Sequence, residues 1–404
     1  MSTAVVFGAN GISGIAALKE LLSRPETEWR KVIAVSRRPP VLDHEDKRLI
    51  FKSVDLLGDE KGLEKALKEA GAEEATHGFY YAYVEKSDED ESVNVNQKMF
   101  ENVSCARPER KVEYDPLHTV YVLEADMEEA VTALEKISPK LKVFQLQTGY
   151  KYYGSHLGND KRALPPWSED SPRHVGKNFQ HTQEDILVER AKKNGWNWII
   201  TRPNIVVGTS KGNFMSMAVT VALYAEACKA LGEPFYFPGS TISYGLQNDH
   251  STASNNAAFQ VFLAQNEKAW NEIYNISDDN KSTFEILWPK IAKYFDVPLP
   301  TPEADEPKGQ IKLGNDFYVA HSLVDWANTN QAKFPQIAKQ LGIDPKVFDY
   351  ATWPFMQFAL SRTWADTATM ERARAVGWDR TLDTFEDGYK VVFEQLKREG
   401  VIPK

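Results

Sequence analysis

The stretch "VVFGANGISG", residues 5–14, decides the fold of this chain. Hydrophobic residues typical of a strand lead into three glycines spaced G-x-x-G-x-x-G, and a helical pattern follows in "ISGIAALKELLSR". In such a strand–turn–helix unit, glycines let the turn close and let backbone N–H groups approach a pyrophosphate at the helix N-terminus. The alternative is a tight turn that binds nothing. We predict a dinucleotide site whose contacts in this turn are Gly8, Asn10, Gly11, Ile12 and Gly14.

The pattern of the first turn continues through the first half of the chain. Short β-rich runs, such as "KVIAVSRR", "LIFKSVDL", "HGFYYAYV", "LKVFQLQTG" and "WNWIITRP", alternate with helical patterns such as "EKGLEKALKEAG" and "TQEDILVERAKKNG". Strands that alternate with helices indicate a parallel, doubly wound sheet. The sequence therefore predicts an α/β protein of the Rossmann class, with residues 1–210 as its dinucleotide-binding domain.

The pattern changes after Pro203. The run "NFMSMAVTVALYAEACKALG" predicts a long helix, and the remainder is mostly helical with short strands near "PFYFPG" and "NEIYNIS". Aromatic residues are frequent, as in "ATWPFMQFALSRTWADTATM". Such a stripe is typical of a packed helical core, and some of its rings can also line an apolar pocket. We predict that residues 211–404 form a smaller, mostly helical part that covers the substrate.

One segment, residues 104–126, interrupts the helix expected between the fourth and fifth strands. Its sequence, "SCARPERKVEYDPLHTVYVLEAD", has no clean periodicity. It is either a surface insertion or an intron read as coding sequence, and we expect no functional residue in it.

The composition limits the classes of partner. The chain has 404 residues, a net charge of −9 and no basic block, so nucleic acid is not expected as a partner. Its two cysteines indicate a reducing compartment without disulfides. The first residues enter a strand pattern with no secretory signal, and no apolar run is long enough to cross a membrane. We expect a cytoplasmic monomer or homodimer that acts on an apolar small molecule.

The end of the second predicted strand indicates which nicotinamide cofactor binds. An NAD site usually carries an acidic residue there for the ribose 2′-hydroxyl, whereas this chain reads "AVSRRPP". Ser36, Arg37 and Arg38 can hold a 2′-phosphate, because guanidinium groups match phosphate oxygens in a fork geometry. The alternative is a pair of solvated arginines. We predict NADP(H), with Asp55 and Leu56, after the third strand, at the adenine edge.

The usual catalytic pair of short-chain reductases, Tyr-x-x-x-Lys, is absent, since none of the sixteen tyrosines has a lysine four residues later. Two other segments converge at the expected site. "LQTGYKYYG" leaves the fifth strand at the end where α/β sheets bind ligands, and "NFQHTQEDIL" opens the next helix. A third, "RPNIVVG", follows the sixth strand. These segments supply the further candidates Thr148, Lys151, Pro203 and Ile205, all as cofactor contacts and Lys151 also as a catalytic residue.

These segments, together with "GANGISG", "AVSRRP", "FPGS" and the closing "DTFEDGYKVVFEQLKREGVIP", resemble the progesterone 5β-reductase/iridoid synthase-like family, an atypical branch of the extended short-chain dehydrogenases. The likeness spans nearly the whole chain apart from residues 104–126. It implies NADPH-dependent reduction of activated C=C bonds in enones or enals, with hydride transfer to the β-carbon. It also assigns the family's catalytic lysine to Lys151.

The chain departs from that family at its catalytic tyrosine, the third residue of "NFY", because this position is Gln180. A glutamine amide has no acidic proton, but it can donate a hydrogen bond to a developing enolate oxygen. His181 titrates near neutral pH and is a second candidate acid, although neighbouring helical residues point in different directions. Two alternatives stay open: a redox-silent cyclase or isomerase on the same scaffold, and an NADP-binding regulatory protein.

Two competing motifs are weaker. "GTSKG", residues 208–212, matches the G-x-S-x-G elbow of serine hydrolases at Ser210, but a hydrolase leaves the glycine-rich turn unexplained. The eight histidines show no H-E-x-x-H motif, and two distant cysteines do not form a usual zinc site, so no metal is expected.

Overall fold

The computed structural model describes residues 1–56, 60–83, 130–158, 161–213, 215–300, 311–314 and 316–404. The described chain forms two compact units that interleave along the sequence. Unit 1 comprises Met1–Tyr152, Val175–Arg202 and Asn256–Tyr274, and unit 2 comprises Tyr153–His174, Pro203–Asn255 and Asn275–Lys404. The predicted functional division at residue 210 stays a prediction. The segment 104–126 lies outside the described residues.

The strands are β1 Ser2–Phe7, β2 Trp29–Ser36, β3 Leu49–Ser53, β4 His77–Tyr80, β5 Val143–Gln147, β6 Asn197–Pro203, β7 Ile205–Val207, β8 His250–Thr252, β9 Glu272–Ile276, β10 Ile311–Gly314 and β11 Phe317–Val319. The α-helices are α1 Ile12–Ser23, α2 Glu60–Glu69, α3 Ala130–Ile137, α4 Phe179–Asn194, α5 Met217–Leu231, α6 Thr241–Gly245, α7 Ala253–Gln265, α8 Phe284–Phe295, α9 Leu323–Asn330, α10 Phe334–Leu341, α11 Trp353–Leu360, α12 Glu371–Ala375 and α13 Lys390–Arg398. A π-helix, Thr384–Tyr389, precedes α13, and a 3₁₀ turn, Tyr150–Tyr153, follows β5.

The main sheet has seven strands in the order β3-β2-β1-β4-β5-β6-β9. Each adjacent pair from β3 to β6 runs parallel. A parallel sheet is covered on both faces, so its strands are nearly continuous hydrophobic runs, and β1 is accordingly buried from its second residue on. The strand order reverses direction between β1 and β4, which is the topological switch point where such sheets bind ligands. The predicted Rossmann fold is confirmed.

Each unit has its own hydrophobic core. In unit 1, β1, β2 and β5 pack against α2, α3 and α4, and the largest buried side chains include Phe7, Tyr80 and Phe144. In unit 2, the core surrounds α5, which is buried without interruption over its first twelve residues. A helix that is buried on every side has to be enclosed by other elements, and α8, α11 and α13 supply that enclosure. The aromatic stripe is mainly part of this core, as its helix α11 shows.

Two local predictions need correction. The long helix begins at Met217, not at the start of the "NFMSM" run, because the Asn213 side chain accepts a hydrogen bond from the Met215 N–H and forms a turn there. The strand expected in "PFYFPG" is wrong: the segment forms only an isolated bridge at Gly239. Pro234 and Pro238 have no N–H to donate to a ladder. The strand expected in "NEIYNIS" is confirmed as β9.

Candidate active site

The glycine turn lies between β1 and α1. Gly8 adopts φ = +76°, a conformation that favours glycine, and its N–H donates to the Val35 carbonyl of β2. A Cβ on Gly8 would lie 2.7 Å from the Ala82 nitrogen, and one on Gly14 would lie 2.2 Å from the Gly8 carbonyl oxygen. Only glycine fits at both positions without a shift of the backbone.

The N-terminus of α1 begins at this turn and suits an anion. Gly11 is the N-cap residue and provides no side-chain cap, and the first turn carries no acidic residue. The exposed N–H groups of a helix start attract phosphate groups through hydrogen bonds and the helix dipole. Asn10 is half-buried and Ile12 is buried at the same turn. These residues fit the pyrophosphate of a dinucleotide.

The predicted phosphate-discriminating residues lie at the carboxyl end of β2. Ser36 is buried and its hydroxyl donates to the Arg38 carbonyl at 2.7 Å, while the Ser53 hydroxyl donates to the Arg37 carbonyl at 3.0 Å. These bonds fix the backbone of the loop, and both arginine side chains lie at the surface. Asp55 is exposed and Leu56 is buried just beyond β3, the neighbouring strand.

Lys151 lies in the 3₁₀ turn after β5. Its ammonium Nζ donates to the hydroxyl of Tyr83 at 3.0 Å and lies 5.6 Å from the centroid of that ring. Tyr83 follows β4, the strand hydrogen-bonded to β5, and its ring stacks on Phe179 of α4 at 5.1 Å. Tyr83 is not among the residues predicted from the sequence. The rule that ligands bind at the carboxyl ends of neighbouring parallel strands would have found it.

Asn178 joins the start of α4 to the lysine turn. Its side-chain oxygen accepts from the Gln180 N–H at 2.8 Å and so caps the helix. Its side-chain nitrogen donates to the Lys151 carbonyl at 2.7 Å. One amide therefore satisfies a helix donor and fixes the backbone that carries the catalytic candidate.

Gln180 and His181 have different surroundings in the first turn of α4. Gln180 is 7% exposed, and its side-chain oxygen is buried with no hydrogen-bond partner in the described parts of the chain. His181 Nε2 lies 2.9 Å from the Tyr152 carbonyl, so this nitrogen carries the ring's proton and donates it. The His181 ring also meets Tyr152 edge-on at 4.7 Å. His181 thus connects α4 to the lysine turn, and the unpaired atom of Gln180 is a hydrogen-bond acceptor.

A buried ion pair contacts the segment around the lysine turn. Arg202 is fully buried and binds Glu184 through two hydrogen bonds of 3.0 and 2.6 Å. The Thr148 hydroxyl donates to the same carboxylate at 2.8 Å, and the Arg202 guanidinium lies 3.3 Å from the centroid of the Tyr152 ring. Charges that leave water need such complete pairing. The network fixes both ends of the segment that contains Lys151.

The remaining candidates lie in unit 2. Pro203 ends β6 and Ile205 begins β7, and both are buried. Ser210 of the hydrolase-like motif is half-buried, and the next helix starts only at Met217. A nucleophile elbow needs a helix directly after the serine, so this loop lacks its geometry.

In the described ranges no cluster of three or more His, Cys, Asp or Glu side chains is arranged to hold a metal ion. Within the same ranges no helix is both long enough and apolar enough to span a membrane.

The fold and the site together define a Rossmann-fold protein with a lysine at the carboxyl edge of its sheet. The chain matches the family described as "PRISE-like Rossmann-fold domain" over residues 4–123 and 109–403. It belongs to this family, and the resemblance noted in the sequence is confirmed.

Several curated proteins are similar along most of their length. "Short chain dehydrogenase gsfE" of Penicillium aethiopicum is 28% identical over 100% of this chain and 99% of its own. The "(S)-8-oxocitronellyl enol synthase" of Nepeta cataria is 29% identical over 91% and 85%. The "3-oxo-Delta(4,5)-steroid 5-beta-reductase" of Arabidopsis thaliana is 30% identical over 73% and 70%.

Solved structures share the fold at low identity. The UDP-glucose 4-epimerase of Thermotoga maritima superposes with a TM-score of 0.58 at 14% identity and covers 98% of this chain and 99% of its own. The enzyme WbmG of Bordetella bronchiseptica, solved in complex with NAD, gives 0.56 at 12% identity over 99% and 95%. These structures share the fold of this chain.

Proposed function

We propose that this protein is an NADPH-dependent reductase that acts on an apolar α,β-unsaturated carbonyl compound in secondary metabolism. The observation that carries the proposal is the position of Lys151, which follows β5 near the switch point where such sheets bind ligands. Its ammonium group lies 3.0 Å from the hydroxyl of Tyr83, which follows β4. The names of two relatives, a steroid 5β-reductase and an enol synthase, support the same substrate class.

The cofactor part of the proposal is supported by the glycine turn and the loop after β2. The turn offers helix N–H groups to a pyrophosphate, and Arg37 and Arg38 offer guanidinium groups to a 2′-phosphate. When bound, the reduced nicotinamide supplies a hydride to the β-carbon of the substrate. The preference for NADPH over NADH follows from the two arginines and from the absence of an acidic residue at the end of β2.

The chain's own residues then have to stabilise charge on the carbonyl oxygen. Hydride addition at the β-carbon moves an electron pair onto that oxygen, and a preorganised donor lowers the energy of the resulting enolate. Lys151 supplies a full positive charge, and the Gln180 amide supplies a neutral donor. Asn178 and the Glu184–Arg202 pair hold the turn that carries the lysine, so that little reorganisation is needed during the reaction.

The test is consumption of NADPH in the presence of a panel of small enones and enals. We expect wild-type turnover, and we expect Lys151→Ala to lose roughly 10²–10³-fold in kcat, the cost of removing one oxyanion donor. Lys268→Ala changes an exposed lysine of the same unit and serves as the matched control, with unchanged turnover. Equal rates for wild type and Lys151→Ala would rule out the assigned role of the lysine.

The second candidate function is a redox-silent cyclase or isomerase, and the replacement of the family's tyrosine by Gln180 favours it. Such a protein binds NADPH tightly and consumes none of it. Incubation with a reactive dialdehyde or enone, followed by mass spectrometry, separates the two: reduction adds two hydrogen atoms, whereas isomerisation leaves the mass unchanged. A protein that binds NADPH and changes no substrate acts instead as a regulatory module.

A further inference from the structure

We propose that Tyr83 is the proton donor of this active site and takes the role that Gln180 cannot perform. The inference rests on the reductase function proposed above and names the residue that completes it. Three observations support it: the hydrogen bond to Lys151, the fixed orientation of the ring, and the position of Tyr83 in the sheet.

The first observation is the contact between the two side chains. The Tyr83 hydroxyl lies 3.0 Å from the Lys151 ammonium, which donates to the phenol oxygen. That bond uses a lone pair of the phenol oxygen and does not use the phenol proton. A nearby positive charge also stabilises the phenolate that remains after the proton has left. The pair therefore combines a proton source with the charge that makes its release favourable.

The second observation is that the Tyr83 ring is held in place. It stacks on Phe179 with an interplanar angle of 23°. Phe179 is the first residue of α4 and directly precedes Gln180. The ring thus contacts the first turn of α4, which contains Gln180, the position of the family's catalytic tyrosine. A fixed ring loses little entropy when its hydroxyl meets a substrate oxygen.

The third observation is the place of Tyr83 in the chain. It lies three residues beyond the end of β4, whose neighbours in the sheet are β1 and β5. β1 leads to the glycine turn and β5 leads to the lysine. The backbone of Ala82, next to Tyr83, is also what a side chain at Gly8 would strike, at 2.7 Å. Tyr83 therefore lies between the glycine turn and the lysine turn.

With a reduced nicotinamide bound, a hydride would form the C–H bond at the β-carbon. The C=C electron pair then forms the double bond between the α-carbon and the carbonyl carbon, and the C=O electron pair moves onto the oxygen as an enolate. Tyr83 transfers its phenol proton to that oxygen and becomes a phenolate beside the Lys151 ammonium. The enol then takes a proton at the α-carbon from water, which leaves as hydroxide, and it releases its hydroxyl proton to the Tyr83 phenolate, which becomes a phenol again. The net change is addition of one hydride and one proton to the C=C bond.

The kinetic test uses Tyr83→Phe, which keeps the ring and its stacking on Phe179. We expect kcat to fall roughly 100-fold or more with KM changed less than about threefold, because a positioned acid acts on the transition state. Tyr236→Phe, an exposed tyrosine of unit 2, is the matched control and keeps wild-type kinetics. A Tyr83→Phe enzyme within about threefold of wild type in kcat would overturn the proposal.

A second measurement needs neither cofactor nor turnover. Tetranitromethane nitrates tyrosines through the phenolate, and peptide mapping gives a rate for each tyrosine. We expect Lys151→Ala to slow nitration of Tyr83 by roughly fivefold, the effect of one screened charge at hydrogen-bond distance. Nitration of Tyr236 in the same samples is the internal control and stays constant. An unchanged rate at Tyr83 contradicts the pairing.

The two measurements separate the failure of this inference from that of the proposed function. A wild-type protein that binds NADPH but reduces no enone in the panel refutes the reductase function, and with it the donor role. A wild type that turns over normally, alongside an equally active Tyr83→Phe, refutes only the role of Tyr83. A loss of kcat in Tyr83→Phe together with slower nitration in Lys151→Ala supports both.

Discussion

The Asn178 side chain allows a prediction that separates stability from catalysis. Its oxygen caps α4 at 2.8 Å and its nitrogen holds the Lys151 carbonyl at 2.7 Å. Asn178→Ala removes both bonds, whereas Asn178→Asp keeps the cap and removes only the donor. Comparison of the two variants therefore separates the effect of the helix cap from the effect of the bond to the Lys151 carbonyl.

The expected magnitudes follow from those two bonds. Loss of an N-cap costs about 1 kcal/mol, and loss of one further hydrogen bond in a partly buried site costs about 1 kcal/mol more. Asn178→Ala should then lower the free energy of unfolding by about 2 kcal/mol. Asn178→Asp should lose about 1 kcal/mol or less, since a carboxylate at a helix N-terminus is itself favourable. Because the Lys151 backbone is released in both variants, kcat should fall about tenfold in each.

The assays are urea unfolding followed by circular dichroism and NADPH consumption with the best enone of the panel. Ser322→Ala removes the cap of α9 in unit 2 and is the matched control, with a loss of about 1 kcal/mol and unchanged kcat. The reasoning is refuted if Asn178→Asp retains wild-type kcat, because the amide nitrogen then does not position the lysine. Equal stabilities of wild type and Asn178→Ala would refute the energetic part.

Three further outcomes are expected. Alanine at both Arg37 and Arg38 should weaken NADPH binding at least about tenfold and leave NADH binding unchanged, as measured by fluorescence titration. Gln180→Tyr should raise kcat by less than about threefold in the wild type but by about tenfold or more in a Tyr83→Phe background, since one acid suffices. Burial lowers the pKa of His77 from 6.5 to about 4. The folded state therefore holds this ring neutral, and its contribution to stability is present above pH 6.5 and is lost as the pH falls. The free energy of unfolding should decrease by about 2 kcal/mol between pH 7 and 5 because of this group. Urea unfolding should show that this decrease is absent in His77→Gln.

Two further buried groups, His250 and Asp278, also have pKa values that change on folding. Burial also lowers the pKa of His250 to about 4, which adds a loss of stability in the same direction. Burial raises the pKa of Asp278 from 3.8 to about 6, so its contribution to stability is complete below pH 3.8 and is lost as the pH rises through 6. The comparison of wild type with His77→Gln isolates the first group, because the other two are present in both proteins.

The candidate site divides into a part that the sequence indicates and a part that it does not. The glycine turn, the end of β2 and the lysine turn each depend on residues close together in the chain. Local spacing and turn chemistry therefore indicate the first two, whereas the lysine turn is indicated by the resemblance to a known family. The strand expected in "PFYFPG" is wrong because its apolar residues serve a contact between distant segments. Phe235 packs on Trp288 in the core of unit 2, with ring centroids 4.6 Å apart, and does not lie in a strand.

By itself, the sequence determined the α/β architecture and its first strand–turn–helix unit, because strand and helix periodicity and glycine spacing are local properties. The catalytic role of Lys151 stays a prediction from the family resemblance. Only the tertiary structure decided which groups surround that lysine. Tyr83 precedes Lys151 by 68 residues, and Asn178 follows it by 27. Such pairings arise when parallel strands bring their carboxyl ends to one edge of the sheet. No periodicity within a single segment records which side chains then come within hydrogen-bond distance.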